Sequence, residues 1–179
     1  MGSGRKPNSV KSAQLGRWLA SLDVHLLTGS GMGVMQEVSK AFADVSARKG
    51  MVIGIVPGAY DSVRSRYTAI QGYPNPWVEI PIYTHLPDRG KLGSGYTSRN
   101  HINILTSDIV VLLSGGAGTA SEAELSIRYG KPAVAWLENS DEQENFPKEI
   151  EFADTFSQVR EFVTDSIEKN LQDTRLTAH

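Results

Sequence analysis

The residues best suited to chemistry in this chain fall in three short clusters. The first is Ser114-Gly115-Gly116-Ala117-Gly118-Thr119-Ala120-Ser121-Glu122, which follows the apolar run Asp108-Ile109-Val110-Val111-Leu112-Leu113 and leads into a helical pattern. A strand that runs into glycines and then a helix can hold phosphate. The glycines let the backbone approach closely, and the helix start offers free N–H groups and a positive dipole end. Glu122 adds a carboxylate one turn in. Its spacing from Thr119 also matches a T-x-x-E capping box, so capping and ligand contact both stand as readings. The second cluster is Gly29-Ser30-Gly31-Met32-Gly33, again between a strand and a helix. It gives G-x-G-x-G, with Val34 where a dinucleotide fingerprint needs its last glycine, so an NAD-type site is not expected. A tight turn alone is the competing reading. The third is Gly95-Tyr96-Thr97-Ser98-Arg99-Asn100-His101. With Thr97 or Ser98 as N-cap, Arg99 falls in the first helical turn, where a cation opposes the dipole unless an anion uses it. An exposed arginine on a solvated face is the alternative.

Periodicity supplies the elements that position these clusters. Helices are expected over 9–22, 34–49 (ended by Gly50), 97–106, 119–129 and 155–171, and strands over 24–28, 51–56, 77–83, 108–113 and 133–137. The segment 59–76 reads as irregular and the acidic loop 138–144 as solvated. Alternating strands and helices define an α/β fold: a doubly wound, mostly parallel, Rossmann-like sheet with helices on both faces. Ligands in such sheets bind at the carboxyl ends of the strands, where both glycine loops fall. One irregularity stands at the start. Met1-Gly2-Ser3-Gly4-Arg5-Lys6 reads as a glycine loop with no strand before it. It is either a flexible start or the sign that a first strand is absent.

The 179 residues, 40% hydrophobic and 21% charged, fit a single domain over 1–179. A net charge of −2 gives no general pull towards nucleic acid or anionic membrane, so any anion site must be local. No apolar run approaches the ~20 residues of a membrane span, and no leader pattern is seen, so a cytoplasmic location is the expectation. With no cysteine, and with His25, His85, His101 and His179 lacking ligand spacing, no metal held by the protein is expected. No G-x-S-x-G elbow supports a serine hydrolase.

Arg99, then Asp108, then G-G-x-G-T-x-x-E from Gly115 to Glu122 together resemble a superfamily. It includes the Lonely-guy cytokinin-activating phosphoribohydrolases, often labelled lysine-decarboxylase-like, and the molybdenum cofactor carrier proteins. The resemblance also takes in 27–35, 53–57 and Gly130-Lys131-Pro132, and so spans roughly residues 1 to 137. In the hydrolase branch it implies Arg99 and Glu122 as the catalytic pair. Two positions depart from that branch: Ser114 stands in place of proline, and Asn100 in place of the lysine after the arginine. The R-N pair is more similar to the carrier branch. The resemblance thus implies a protein that binds a phosphorylated pterin or nucleotide, with the molybdenum cofactor as the bound ligand. Gly29, Ser30, Gly31, Met32, Gly33, Arg99, Ser114, Gly115, Gly116, Gly118, Thr119 and Glu122 would form its site. Tyr73, Trp77 and Tyr83 would lie near a flat ring or simply pack. The resemblance further implies a homo-oligomer, dimer or tetramer. The rival is a nucleoside 5′-monophosphate phosphoribohydrolase, and a third reading is a nucleotide-sensing or structural subunit.

Overall fold

The computed structural model describes residues 1–2 and 9–177. The motif at 1–6 therefore lies mostly outside the described residues. The order is α1 (Ser9–Ala20), β1 (Leu26–Thr28), α2 (Val34–Ala43), β2 (Val52–Val56), β3 (Gly58–Asp61), β4 (Arg66–Ala69) and β5 (Ile80–Tyr83). Then follow α3 (Asn100–Thr106), β6 (Val110–Leu113), α4 (Ala117–Arg128), β7 (Ala133–Trp136), β8 (Glu151–Phe152) and α5 (Phe156–Thr177). Short 3₁₀ turns lie at Gly90–Leu92 and Ser140–Asn145.

The strands pair in two parallel groups, β1-β2-β5 and β6-β7-β8. Apolar runs such as Ala133–Trp136 are buried throughout, as helices covering both faces demand. One core joins α1, α2 and α5 to the sheet through Leu15, Val38, Phe42, Val134, Trp136 and Val159. The other packs Ile104, Leu112, Ala123 and Leu125 beneath α3 and α4. Gly16 lets α1 meet α2 closely, since a Cβ there would lie 2.5 Å from Val38 O. This is the doubly wound α/β architecture expected from the alternation of elements.

Several boundaries differ from expectation. α2 stops at Ala43 rather than continuing to Lys49. Asp44, Val45 and Ser46 are weak helix formers, and Arg48 turns back to donate to Ala43 O (3.4 Å) and Gly50 O (2.6 Å). Gly50 is then a packing residue against Val24 O rather than a helix stop. The segment expected to be irregular contains the antiparallel hairpin β3–β4, with Gly58 opposite Ala69 and Asp61 opposite Arg66. Asp61 closes its turn by accepting from Val63 N and Arg64 N, and Tyr60 and Tyr67 pair edge-on at 5.4 Å. The strand expected from Trp77 begins only at Ile80, because Asn75 Oδ1 accepts from Trp77 N and holds that stretch in a turn.

β1 and β6 do not pair with each other among the described residues. A slot of about 530 Å³ lies between them, lined by both strands and by α1, α2 and α5. Met1 occupies its upper end: its nitrogen donates to Val111 O (2.5 Å), and its carbonyl accepts from Leu113 N (2.7 Å).

Candidate functional site

The first glycine loop leaves β1 at its carboxyl end, where a parallel sheet opens. Ser30 is buried with φ 58°, a left-handed conformation unusual for a residue with a side chain. Three bonds hold it there. Its Oγ donates to Ile55 O (3.0 Å), its N–H donates to Thr28 Oγ1 (3.1 Å), and its carbonyl accepts from Asn75 N (2.8 Å). Asn75 Nδ2 also donates to Gly31 O (2.9 Å). Gly33, at φ 64°, then opens α2 with no side chain capping the helix. The loop is therefore braced from behind by Ser30 and Asn75, while its helix-opening N–H groups are left for a ligand. Met32 is exposed beside it.

Arg99 stands directly against this loop. A Cβ on Gly29 would lie 2.6 Å from Arg99 Cζ, so any side chain there would have to displace the guanidinium. Arg99 is the N-cap residue of α3, one position outside the helix, with Ser98 Oγ accepting from Asn100 N (3.2 Å). It is 4% exposed, not a solvated surface arginine. Its Nη1 donates to Asn100 Oδ1 (2.7 Å), its Nε has no partner, and no ion pair joins it to a carboxylate among the described residues. A buried cation with spare donors is costly unless an anion meets it.

Glu122 is 5% exposed, and its Oε1 accepts from Asn103 Nδ2 (3.3 Å). Asn103 lies one turn along α3 from Arg99 and links the two. Its own Oδ1 has no donor. Burial pushes the Glu122 carboxyl above its ordinary range, against the pull of the Met1 ammonium and Arg99. The same burial pushes the Met1 ammonium below its ordinary value, opposed by Glu122. Arg99, Asn103, Glu122 and Met1 form one desolvated cluster behind the glycine loops.

The second loop opens α4 at Ala117, with Gly116 as N-cap and no side-chain cap. The capping-box reading of Thr119 and Glu122 is therefore corrected. The helix starts two residues earlier than expected, Thr119 N donates to Gly116 O, and Glu122 turns to Asn103. Gly116 is open, with nothing within 4 Å of where a Cβ would stand, whereas Gly118 faces Gly90. Thr119 is buried. Ser114 points elsewhere: its Oγ donates to Glu142 Oε1 (3.0 Å) and accepts from Glu138 N (2.7 Å). It fastens the acidic segment to the end of β6.

Two residues not singled out by sequence complete the picture. Asn103 is visible only as an i+4 neighbour of Arg99. Arg89 precedes the 3₁₀ turn Gly90–Leu92, and that turn packs on the start of α4 through Ser121 and Gly90. The Arg89 guanidinium lies 5.9 Å from the Tyr73 ring centre, and Tyr73 touches the first loop at Gly31. Arg89 is thus an exposed cation between the two loops. Of the three aromatics considered for a flat ring, Tyr73 alone is placed against a loop. Trp77 lies under Lys40, and Tyr83 is exposed on β5. His101 is fully engaged, with Nδ1 at 2.6 Å from Tyr129 Oη and Nε2 at 3.0 Å from Gly95 O.

This geometry predicts a contrast between two glycine substitutions. Gly29→Ala must displace Arg99 and is expected to weaken binding of a phosphorylated ligand at least tenfold. Gly116→Ala meets no atom of the protein and is expected to leave the melting temperature within about 2 °C of the original, a change of under ~1 kcal/mol. Calorimetric titration with a nucleoside monophosphate and thermal melting check the pair. Undiminished binding in Gly29→Ala would contradict the placement of Arg99.

The chain folds as a Rossmann-like α/β sheet with two glycine loops beside a buried arginine. The SLOG cluster4 family matches residues 1–165, and the chain belongs to that family. Its fold is shared with the molybdenum cofactor binding protein from the phototrophic bacterium Rippkaea orientalis, at 27% identity, TM-score 0.66, covering 93% of each chain. It is also shared with the molybdenum cofactor carrier protein of Chlamydomonas reinhardtii, at 24% identity, TM-score 0.67, covering 94% of each chain. No curated protein sequence matches the chain. These neighbours agree with a carrier-like member of the Lonely-guy superfamily. No helix among the described residues is long and apolar enough to cross a membrane.

Proposed function

We propose that this protein binds a small phosphorylated ligand, a pterin or a nucleotide, in the manner of a molybdenum cofactor carrier. The observation that supports this best is Arg99: buried, pressed against Gly29, and, among the described residues, without an ion pair and with its Nε unpartnered. An anion entering between the loops would supply the missing acceptors. The residues fit the phosphate of the molybdenum cofactor. Arg99 and the backbone N–H groups of 31–33 and 115–118 would hold it. When bound, that cofactor carries the molybdenum itself, so the protein need supply no metal ligand. Glu122, held back by Asn103 and raised by burial, would act as a neutral or hydrogen-bonding group rather than as a freely solvated base. A dimer or tetramer and a cytoplasmic location belong to the same proposal.

The hydrolase reading keeps one observation in its favour: Arg99 and Glu122 do belong to one cluster. Incubation with a panel of nucleoside monophosphates separates the two. The carrier reading expects no free base or ribose 5-phosphate, together with protection of molybdenum cofactor from decay. Base release that vanishes in Glu122→Gln would overturn it.

A further inference from the structure

The turn that carries Arg89 is fastened at both ends of its reach. At its start, Asp88 N donates to Thr97 O (3.3 Å), and Asp88 Oδ2 accepts from the Thr97 hydroxyl. In its middle, Gly90 O accepts from Ser121 Oγ (3.4 Å), and Gly90 Cα lies 3.6 Å from where a Cβ on Gly118 would stand. Gly90 has φ 60°, a conformation that glycine adopts without a steric cost. Arg89 therefore springs from a backbone seated on the second glycine loop. Tyr73 stands on the first: a Cβ on Gly31 would lie 3.1 Å from Tyr73 Cε1 and 3.3 Å from its Oη. The guanidinium lies 5.9 Å from the Tyr73 ring centre. That is the outer limit of a cation–π contact, about 6 Å, so the two groups face each other without closing on each other. Arg89 is exposed, and among the described residues it makes no ion pair. Its planar fork of donors is left to a ligand.

We propose that Arg89 and Tyr73 read the flat ring of the ligand and select a ring with two adjacent acceptors on one edge. The ring stacks on Tyr73 and moves the guanidinium to its edge, where the fork donates to both acceptors. This rests on the phosphorylated-ligand reading above and names the ring that it leaves open. Guanine offers such an edge in O6 and N7, and a pterin carries the same oxygen–nitrogen pair beside its oxo group. Adenine places an amino donor beside N7, so it meets the guanidinium donor to donor. The class selected is a phosphate ester of an oxopurine or a pterin, over an adenine nucleotide and over a bare sugar phosphate. A lysine at position 89 supplies charge without the paired geometry. The two arginines divide the ligand between them: Arg99, buried, takes the phosphate, and Arg89, exposed, takes the ring.

The test is calorimetric titration of the full chain with GMP, AMP and ribose 5-phosphate. The unaltered protein is expected to bind GMP roughly tenfold or more tighter than AMP, the discrimination of one good paired contact. In Arg89→Ala and in Arg89→Lys the two nucleotides should bind within about threefold of each other, with ribose 5-phosphate held as in the original. Tyr73→Leu should weaken both nucleotides roughly fivefold or more through lost stacking, again sparing ribose 5-phosphate. A GMP preference that survives Arg89→Ala would overturn the proposal. So would an equal loss of all three ligands in that variant, which would make Arg89 a phosphate contact. Loss of ribose 5-phosphate in Tyr73→Leu would overturn the part given to Tyr73, since it would mean that the first loop itself had moved. Ribose 5-phosphate bound by the unaltered protein, with no preference between the nucleotides, would overturn the ring assignment and leave the phosphate reading standing. Failure of all three to bind would overturn both.

Discussion

Arg99→Ala is expected to lower affinity for a phosphorylated ligand by about a hundredfold or more, with no loss of unliganded stability. Each charge-assisted bond from a guanidinium contributes ~1.5–3 kcal/mol, and a paired grip on phosphate uses two. At 1.4 kcal/mol per tenfold, that is a change of at least two decades. The stability side of the prediction runs the other way. Arg99 is 4% exposed, makes one side-chain hydrogen bond, to Asn100, and leaves Nε without a partner. Arg99 makes no ion pair among the described residues, so removing this buried cation relieves a cost and the variant should melt at or above the original temperature. Arg99→Lys should bind at an intermediate level, because it keeps the charge and loses the planar fork. Titration calorimetry with a nucleoside monophosphate, beside thermal melting, reads both. A loss of binding that tracks a loss of stability would mean that Arg99 is structural. Affinity within threefold of the original would remove it from the site.

The second large effect concerns Glu122 and pH. Burial raises the Glu122 carboxyl above its value of 4.5 in the unfolded chain. The folded state therefore holds the proton over a pH range in which the unfolded state has released it. Stability then falls as pH rises from 4.5 through the raised value, and the cost is complete above it. Glu122→Gln has no such titration and keeps an acceptor for Asn103 Nδ2. Its amide can also donate to Asn103 Oδ1, which now lacks a donor. The variant should match the wild type near pH 4 and exceed it increasingly towards pH 8. The Met1 ammonium opposes this in part, because its own value is lowered from 8.0 by burial and it draws on the Glu122 charge. The difference should therefore be greatest above pH 8.0, where Met1 is neutral in both states. Denaturant unfolding across pH 4–9 tests the sign. A wild type that gains stability over the variant as pH rises would show that Glu122 is held ionised by a favourable partner.

The fold was legible because its determinants are local. Apolar runs of four to six residues alternating with helical stripes allow few arrangements other than a parallel sheet covered on both faces. What sequence mislaid were elements without an apolar period. The hairpin β3–β4 exposes both tyrosines of its pair, so its pattern resembles a loop. The early end of α2 depends on Arg48 folding back on carbonyls, which no propensity records.

The site divides along the same line. Sequence by itself determined that two glycine loops close strands at one edge of the sheet, and that Arg99 and Glu122 accompany them. The alternation of strands with helices and the turn chemistry are written in residue types, so that much needs no tertiary structure. Only the fold decided what those residues do to one another. Burial set Arg99 against Gly29 with no ion pair among the described residues, turned Glu122 from a supposed cap into a desolvated partner of Asn103, and drew Ser114 away to Glu138 and Glu142. Only the fold, too, showed an apolar slot between β1 and β6 with Met1 bonded to β6. Desolvation and long-range pairing are properties of surroundings that the chain brings together from positions 1, 29, 99, 103 and 122, and spacing along the sequence carries no measure of either.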